Sequence, residues 1–352
     1  MKIEIQRVIF PDAEQAEIES ADLDTTLDSD DVLVRTRYSL ISPGTELALY
    51  TNQRDIGDGT IHSYPFHPGY AAMGVIESVG SAVNDIAPGD RVATLTGHSS
   101  LSKFKPAKSV CTHLPDEMQC DHAPFIRMAL ICVNTLRQAD IQAGEWLGIV
   151  GLGIVGNLGA QFGRHAGLKV IGVGRSSLRS ETADRCGINP IFTGKPQEIA
   201  AATQDITNGI GCKLVLDTSG TMDGLLKAIA LAGDGGTIAL VGVPWVMDPK
   251  IAATEIMQPV FSRFLTIQGG WEWRLPLHEH DPDNPLEMLR HRYSVEANAK
   301  YALELINKGD VMVKPLITHR IKPKTIQDVY QGLLHRRNEY LGILIDWTKE
   351  KS

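Results

Sequence analysis

The residues best suited to chemistry form a short glycine pattern, Gly151-Leu152-Gly153-Ile154-Val155-Gly156. The first glycine permits a tight turn. The second leaves room for a pyrophosphate against the backbone, and the third lets a helix pack closely on a strand. An anion held there meets a helix N-terminus, where unpaired N–H groups and the helix dipole favour negative charge. The pattern follows an apolar run ending at Val150 and opens a segment with Ile154, Val155 and Leu158 on one side. That context separates a dinucleotide loop from a chance match. The alternative is a strand–helix turn that binds nothing.

A second group sets the kind of dinucleotide. NAD-binding folds carry an acid at the end of the next strand, where it accepts a bond from the ribose 2′-hydroxyl. Here the strand end reads Gly174-Arg175-Ser176-Ser177-Leu178-Arg179, with no acid. A carboxylate would repel a 2′-phosphate. Arg175 can pair with one, and Ser176, Ser177 and Arg179 can add donors. NADP(H) is therefore expected over NAD(H), with a solvated basic loop as the alternative. Trp245, Trp271 and Trp273 form a third group. Aromatic faces of this kind stack on a sugar or a flat substrate, or fill a core.

These groups need elements to hold them. Residues 1–130 read as an all-β unit: short apolar stretches at 32–34, 75–79 and 91–95 alternate with the turn signals Ser42-Pro43-Gly44, His67-Pro68-Gly69 and Ala87-Pro88-Gly89-Asp90. Residues 1–14 alternate as a first strand and lack the basic-then-apolar layout of a signal peptide. From 125 the pattern changes. Strands are expected at 146–150, 169–173, 213–217 and 237–241, and helices at 125–139, 154–166 and 222–231. Nearly continuous apolar strands separated by helices predict a doubly wound α/β sheet. A polar stretch at 277–285, a helix at 297–308 and a strand at 341–347 follow. A chain of 352 residues accommodates two domains. Hydrophobic residues make up 43% and charged residues 22%, a globular composition. A net charge of −8 argues against nucleic acid as partner, and no apolar run is long enough to span a bilayer. Five scattered cysteines suit a reducing, cytoplasmic compartment better than a disulfide framework.

Several stretches together resemble the medium-chain dehydrogenase/reductase superfamily along nearly the whole chain. They are Ser39-Leu-Ile-Ser-Pro-Gly-Thr-Glu46, Pro68-Gly-Tyr-Ala-Ala-Met-Gly-Val75, Ala87-Pro-Gly-Asp-Arg-Val92, the glycine loop, Gly236-Thr-Ile-Ala-Leu-Val-Gly242 and Pro315-Leu-Ile-Thr-His319. The wording of the first is most similar to the bacteriochlorophyllide dehydrogenase-like group. The resemblance implies an α/β protein with a GroES-like β-barrel catalytic domain, residues 1–132 completed by 272–352. A Rossmann domain, 133–271, would bind the dinucleotide. It also implies a cleft between the domains, cofactor contacts from Thr135, Val241, Gly242 and Val243, and a homodimer.

The zinc enzymes of the superfamily carry Gly-Ile-Cys-Gly-Thr-Asp where this chain has Leu40-Ile41-Ser42-Pro43-Gly44-Thr45-Glu46. Ser42 or Pro43 thus stands where their cysteine belongs. They carry Gly-His-Glu where it has Gly69-Tyr70-Ala71, and Ile131 falls where a third ligand belongs, with Cys132 one residue off. Zinc wants nitrogen, sulfur or carboxylate ligands, so no catalytic zinc is expected. Other metal-capable clusters, His62 with His67, Cys120 with His122, and His278 with His280 and Asp281, read as surface or core. Without a Lewis acid, hydroxyl groups must support the reacting oxygen. By the resemblance these are Thr45 and Tyr70, with Glu46 as a catalytic acid or a brace for its loop. Thr45 could instead cap a helix, and Tyr70 could simply pack. The reading is an NADP(H)-dependent oxidoreductase acting on an alcohol or ketone of small size, such as a sugar or polyol. Reduction of an enone or quinone C=C bond, or dinucleotide binding without catalysis, are the alternatives.

Overall fold

A computed structural model describes residues 1–53, 63–245, 248, 250–270, 275–278 and 293–348. Two larger sheets organise them. One has seven strands: β3 (Val32–Leu40), β4 (Ala72–Val79), β5 (Arg91–Thr94), β6 (Leu101–Phe104), β7 (Cys111–His113), β14 (Ile317–Ile321) and β15 (Gly342–Asp346), in the order β14-β15-β3-β4-β5-β7 with β6 paired to β3. The last two strands of the chain thus join the first part: β15 lies antiparallel to β3, with Leu344 opposite Leu40. A two-stranded ribbon, β1 (Lys2–Ile9) and β2 (Glu17–Asp24), stands beside it.

The other sheet has six strands, all parallel: β8 (Trp146–Val150), β9 (Lys169–Val173), β10 (Ile191–Phe192), β11 (Cys212–Asp217), β12 (Ala232–Leu240) and β13 (Thr266–Gly269). Their order, β10-β9-β8-β11-β12-β13, reverses direction at β8, which is the doubly wound dinucleotide topology. A ligand in such a sheet sits beyond the carboxyl ends of the strands at that reversal, where the glycine pattern begins. Helices α2 (Ile126–Gln138), α3 (Ile154–His165), α4 (Ser177–Arg185), α5 (Pro196–Ile206), α6 (Met222–Leu231) and α7 (Ala253–Ser262) follow through this half of the chain. Helix α8 (Val295–Lys308) packs on α2, and α9 (Ile326–His335) packs on α1 (Pro43–Tyr50).

Helix α1 corrects the all-β reading of the first 130 residues, since Ser42-Pro43-Gly44 starts a helix there. Proline at a first helical position already has the required φ and lacks an N–H that would go unbonded anyway. Ser42 is the N-cap residue, with extended backbone and no side-chain cap bond. The side chain of Glu46 performs the return bond instead, accepting from Ser42 N at 2.7 Å. Among the described residues no helix is long and apolar enough to cross a membrane.

Candidate active site

The glycine loop has the properties its spacing requires. Gly151 has φ +89°, a backbone that side chains disfavour. A Cβ on Gly156 would lie 1.8 Å from the carbonyl oxygen of Gly151, so helix α3 can approach only without one. Gly153 is different: its φ is −70° and an added Cβ would meet nothing within 4 Å. Its missing side chain leaves open space at the head of α3, a cradle suited to a pyrophosphate. Leu152 and Ile154 are buried beneath the loop, and Val155 is half-buried. Thr218 braces the turn by donating to the carbonyls of Val150 and Gly151 at 2.9 and 2.7 Å.

At the end of β9, Arg175 is exposed and the Ser176 hydroxyl is buried, with the residue 7% exposed and its Oγ without a hydrogen-bond partner. Burial, Arg337 and Arg175 together pull the Arg179 guanidinium down to about 10. Desolvation and like charge both disfavour its cationic form, and an anion would relieve both. An unsatisfied hydroxyl beside crowded guanidinium groups fits a phosphate, so the residues present suit NADP(H). Gly174, just after β9, is half-buried, and a Cβ there would meet the Leu152 side chain at 2.9 Å.

The hydroxyl groups gather at the other end of α2. The Tyr70 phenol donates to Ser42 Oγ at 2.6 Å, and Thr45, one turn into α1, also hydrogen-bonds it. Thr45 stands on a helix that begins within the Ser42-Pro43-Gly44 run read as a turn, and Ser42 holds the N-cap position. Gly69 admits Tyr70 to this place: its φ is +97°, and a Cβ would strike His98 N at 2.6 Å. Burial raises the phenol's pKa above its ordinary value, more than the bonds to Ser42 and Thr45 lower it. The Arg127 guanidinium lies over the Tyr70 ring, 4.9 Å from its centroid. Arg127, Ser42 and His98 were not among the residues read as functional. The nearest signal was the Ser-Pro-Gly-Thr-Glu run, read there for a missing thiolate.

Glu46 is enclosed by protein. It is 0% exposed and accepts from Ser42 N, from Tyr330 OH and, at 3.1 Å, from His98 Nε2. His98 in turn bonds Ser39 Oγ at 2.8 Å, which accepts from Trp347 Nε1 at 2.9 Å. Glu46 thus anchors the start of α1 to α9 and to the loop carrying His98, an arrangement that suits a brace for its loop.

Helix α2 joins the two ends. Met128 Sδ lies 4.0 Å from Ser42 Oγ, and Cys132 Sγ donates to the Val155 carbonyl at 3.0 Å. These residues are one turn apart, about 6 Å along the axis. Thr135 donates to Ile131 O at 2.8 Å, with Gly270 O at 3.5 Å. The hydroxyl cluster is thereby held close to the start of α3. Beyond β12, Val241 N and Gly242 N both donate to the Asp217 carbonyl, and Val243 O accepts from Trp245 N at 3.0 Å. Trp245 is half-buried. Trp271 and Trp273 lie outside the described residues, as do His62, His280 and Asp281.

Of the residues that the resemblance sets against the zinc ligands, Ser42 and Tyr70 are bonded to each other, Pro43 begins α1, and Ile131 supplies no donor. His67 bonds Glu19 at 3.0 Å, and His278 bonds Glu296 at 2.8 Å. Among the described residues the one group of three metal-capable side chains is the exposed Asp28 and Asp30 with the buried Asp31, and Lys105 lies against all three.

Comparison with known proteins bears on both halves. Residues 28–120 match the alcohol dehydrogenase GroES-like domain, and 155–276 match the zinc-binding dehydrogenase family. A sorbitol dehydrogenase of Bacillus subtilis is 24% identical, over 91% of each chain. A D-guloside 3-dehydrogenase of Escherichia coli is 31% identical over 50% of this chain and 51% of its own length. Among solved structures, galactitol-1-phosphate dehydrogenase from Escherichia coli superposes with a TM-score of 0.78 at 19% identity, covering 97% and 99% of the two chains. A Sinorhizobium meliloti protein solved bound to NADP does so with a TM-score of 0.75 at 18% identity, covering 98% and 99%. The fold is a GroES-like domain with a Rossmann-like parallel-sheet domain.

Proposed function

The chain belongs to the zinc-type alcohol dehydrogenase, or medium-chain dehydrogenase/reductase, superfamily, and from that premise we propose an NADP(H)-dependent oxidoreductase that works without zinc on the hydroxyl or carbonyl group of a sugar or polyol. The observation that carries the reading is the Tyr70–Ser42 hydrogen bond of 2.6 Å, formed where the resemblance sets Tyr70, and Ser42 or Pro43, against zinc ligands. Two hydroxyl groups and an isoleucine offer zinc none of the ligands it prefers. The sugar and polyol class is supported by the relatives, among them sorbitol dehydrogenase, D-guloside 3-dehydrogenase and probable D-xylulose reductase. The NADP(H) assignment is supported by Arg175, Arg179 and the unpartnered Ser176 hydroxyl.

Bound nicotinamide supplies or accepts the hydride. The protein's task is to manage charge and proton at the substrate oxygen. Hydride arrival at a carbonyl carbon builds negative charge on oxygen, which is costly in a dry site unless donors face it. Tyr70 turns its phenol from Ser42 to that oxygen and gives up the proton. Thr45 donates beside it. In the oxidative direction the same phenol position receives the proton. Arg127 over the ring steadies the developing phenolate by charge.

Tyr70→Phe keeps the ring and deletes the donor. We expect turnover on keto sugars to fall about 100- to 1000-fold with cofactor affinity intact. The phenol's pKa is raised above its usual value of 10.0. The protonated donor therefore persists through that pH, and reduction should lose rate only above it. Assays of wild type and variant over a panel of keto sugars, polyols and enones read all of this. Wild-type turnover in Tyr70→Phe would sink the donor assignment. Activity on enones alone would replace the carbonyl reading. One tightly held zinc per chain, with activity lost on its removal, would overturn the zinc-free mechanism.

A further inference from the structure

The basic end of the cofactor groove, read from sequence, stops at Arg179. The structure brings a distant segment to it. Arg179 Nη2 donates to the carbonyl oxygens of Arg337 and Tyr340 at 3.3 and 3.4 Å, so the turn between α9 and β15 lies against α4. Helix α4 also touches the short turn Lys314–Leu316, which leads into β14. Both contacts join the end of β9 to the strands that complete the other sheet.

This turn carries two arginines with different surroundings. Arg336 is paired: its Nε donates to Glu339 at 3.2 Å and its Nη2 to Tyr340 OH at 3.2 Å. Arg337 forms no ion pair with a carboxylate among the described residues, and neither do Arg175 and Arg179. Partial desolvation and the Arg175 charge push the Arg337 guanidinium below its ordinary range, and Arg337 acts likewise on Arg179. Three guanidinium groups therefore share one field. Ser176, whose buried Oγ has no hydrogen-bond partner, follows Arg175 directly and is the N-cap residue of the nine-residue helix that carries Arg179. Like charges with no carboxylate ion pair among the described residues, next to an unsatisfied hydroxyl at a helix N-terminus, make a site for a dianion.

We propose that Arg337 is the third cation for the 2′-phosphate of NADP(H), a specificity-determining residue supplied to the Rossmann sheet by the segment that precedes β15. The proposal rests on the NADP(H) reading above. It extends that reading across the two sheets: the phosphate is held from both halves of the chain, and cofactor with a 2′-phosphate fastens one to the other. NADPH should then protect the whole chain against heat more than NADH does at equal saturation.

The test is direct titration of the full chain with NADPH and NADH, followed by cofactor fluorescence, at low and high salt. Variants are Arg337→Ala, Arg337→Lys, Arg175→Ala and, as control, Arg336→Ala. We expect Arg337→Ala to weaken NADPH roughly tenfold or more while NADH moves less than about twofold, the loss expected for one charged hydrogen-bond donor. Arg337→Lys should recover part of the loss, since it keeps the charge, and Arg336→Ala should keep the parent ratio. The salt dependence of NADPH binding should flatten in Arg337→Ala, and the extra thermal protection by NADPH should vanish. If Arg175→Ala lowers the NADPH/NADH preference and Arg337→Ala and Arg337→Lys both leave it at the parent value, the Arg337 proposal is wrong while the NADP(H) reading stands. If the parent does not distinguish the two cofactors, the NADP(H) reading fails and the proposal with it.

Discussion

A glycine can be required by the fold or by a ligand, and the loop after β8 contains one of each. Gly156 has a backbone carbonyl where its Cβ would go, whereas Gly153 has open space and an ordinary φ. Gly156→Ala should destabilise the protein by about 1–3 kcal/mol, the usual cost of overpacking. Gly153→Ala should melt like the parent yet bind dinucleotide roughly tenfold or more weakly, because the methyl group fills the approach of the pyrophosphate. Thermal melts alongside cofactor titration separate the two. Equal losses of stability in both variants would show that Gly153 is structural too. This loop was legible in the sequence because all its requirements lie within six neighbouring residues. Ser42, His98, Arg127 and Arg337 were not, because each acquires its role from a partner far along the chain: Ser42 from Tyr70, His98 from Glu46, Arg337 from Arg179.

At the scale of elements, the placement of α1 matters most. Ser42 and Thr45 point toward Tyr70 only because the helix start is fixed, and Glu46 fixes it with three accepted bonds from α1, α9 and the His98 loop. Glu46→Gln keeps the shape but presents an amide N–H₂ to groups that were donors. It should cost about 1–3 kcal/mol in stability and lower turnover through loss of hydroxyl alignment, with cofactor affinity unchanged. Urea denaturation and steady-state kinetics measure the two effects, and parental turnover would mean that the helix start is held by other contacts. Three strands of the parallel sheet were legible to within a residue, at 146–150, 169–173 and 213–217, because buried parallel strands are runs of apolar residues. Strand β12 starts at Ala232, five residues before the expected 237, in a glycine-rich run, and the short strands β10 and β13 were not read. Helix α1 was not. Pro43-Gly44 is a turn signal in local terms, and only the side chain of Glu46 reaching back to Ser42 reveals that a helix has begun.

On the scale of the molecule, the parallel sheet ends at β13, which pairs only with β12 among the described residues. An open edge of this kind invites another strand. The helix before it is apolar on the outside as well: Met257 and Phe261 on α7 are 66% and 86% exposed, and Phe264, just before β13, is 82% exposed. Large apolar side chains gathered beside an unpaired edge mark an association surface more than a solvent face. A second copy of the chain is the partner we expect, since a two-fold axis at the edge pairs β13 with itself and covers each phenylalanine with its equivalent. The order of the sheet could be anticipated from the glycine loop and the alternation of elements. The edge could not, because exposure is a property of the assembled fold and Phe261 and Phe264 look like core residues in the sequence. Phe261→Asp combined with Phe264→Asp should convert a dimer into a soluble monomer, because two like charges per chain would face their own images across the axis. Light scattering over a wide concentration range reads the mass of parent and variant. A parent that is monomeric throughout, or a variant that stays dimeric, would move the interface elsewhere or abolish it. Cofactor binding through the glycine loop after β8 and the arginines beyond β9, strands that β11 and β12 separate from this edge, should be unchanged in the monomer.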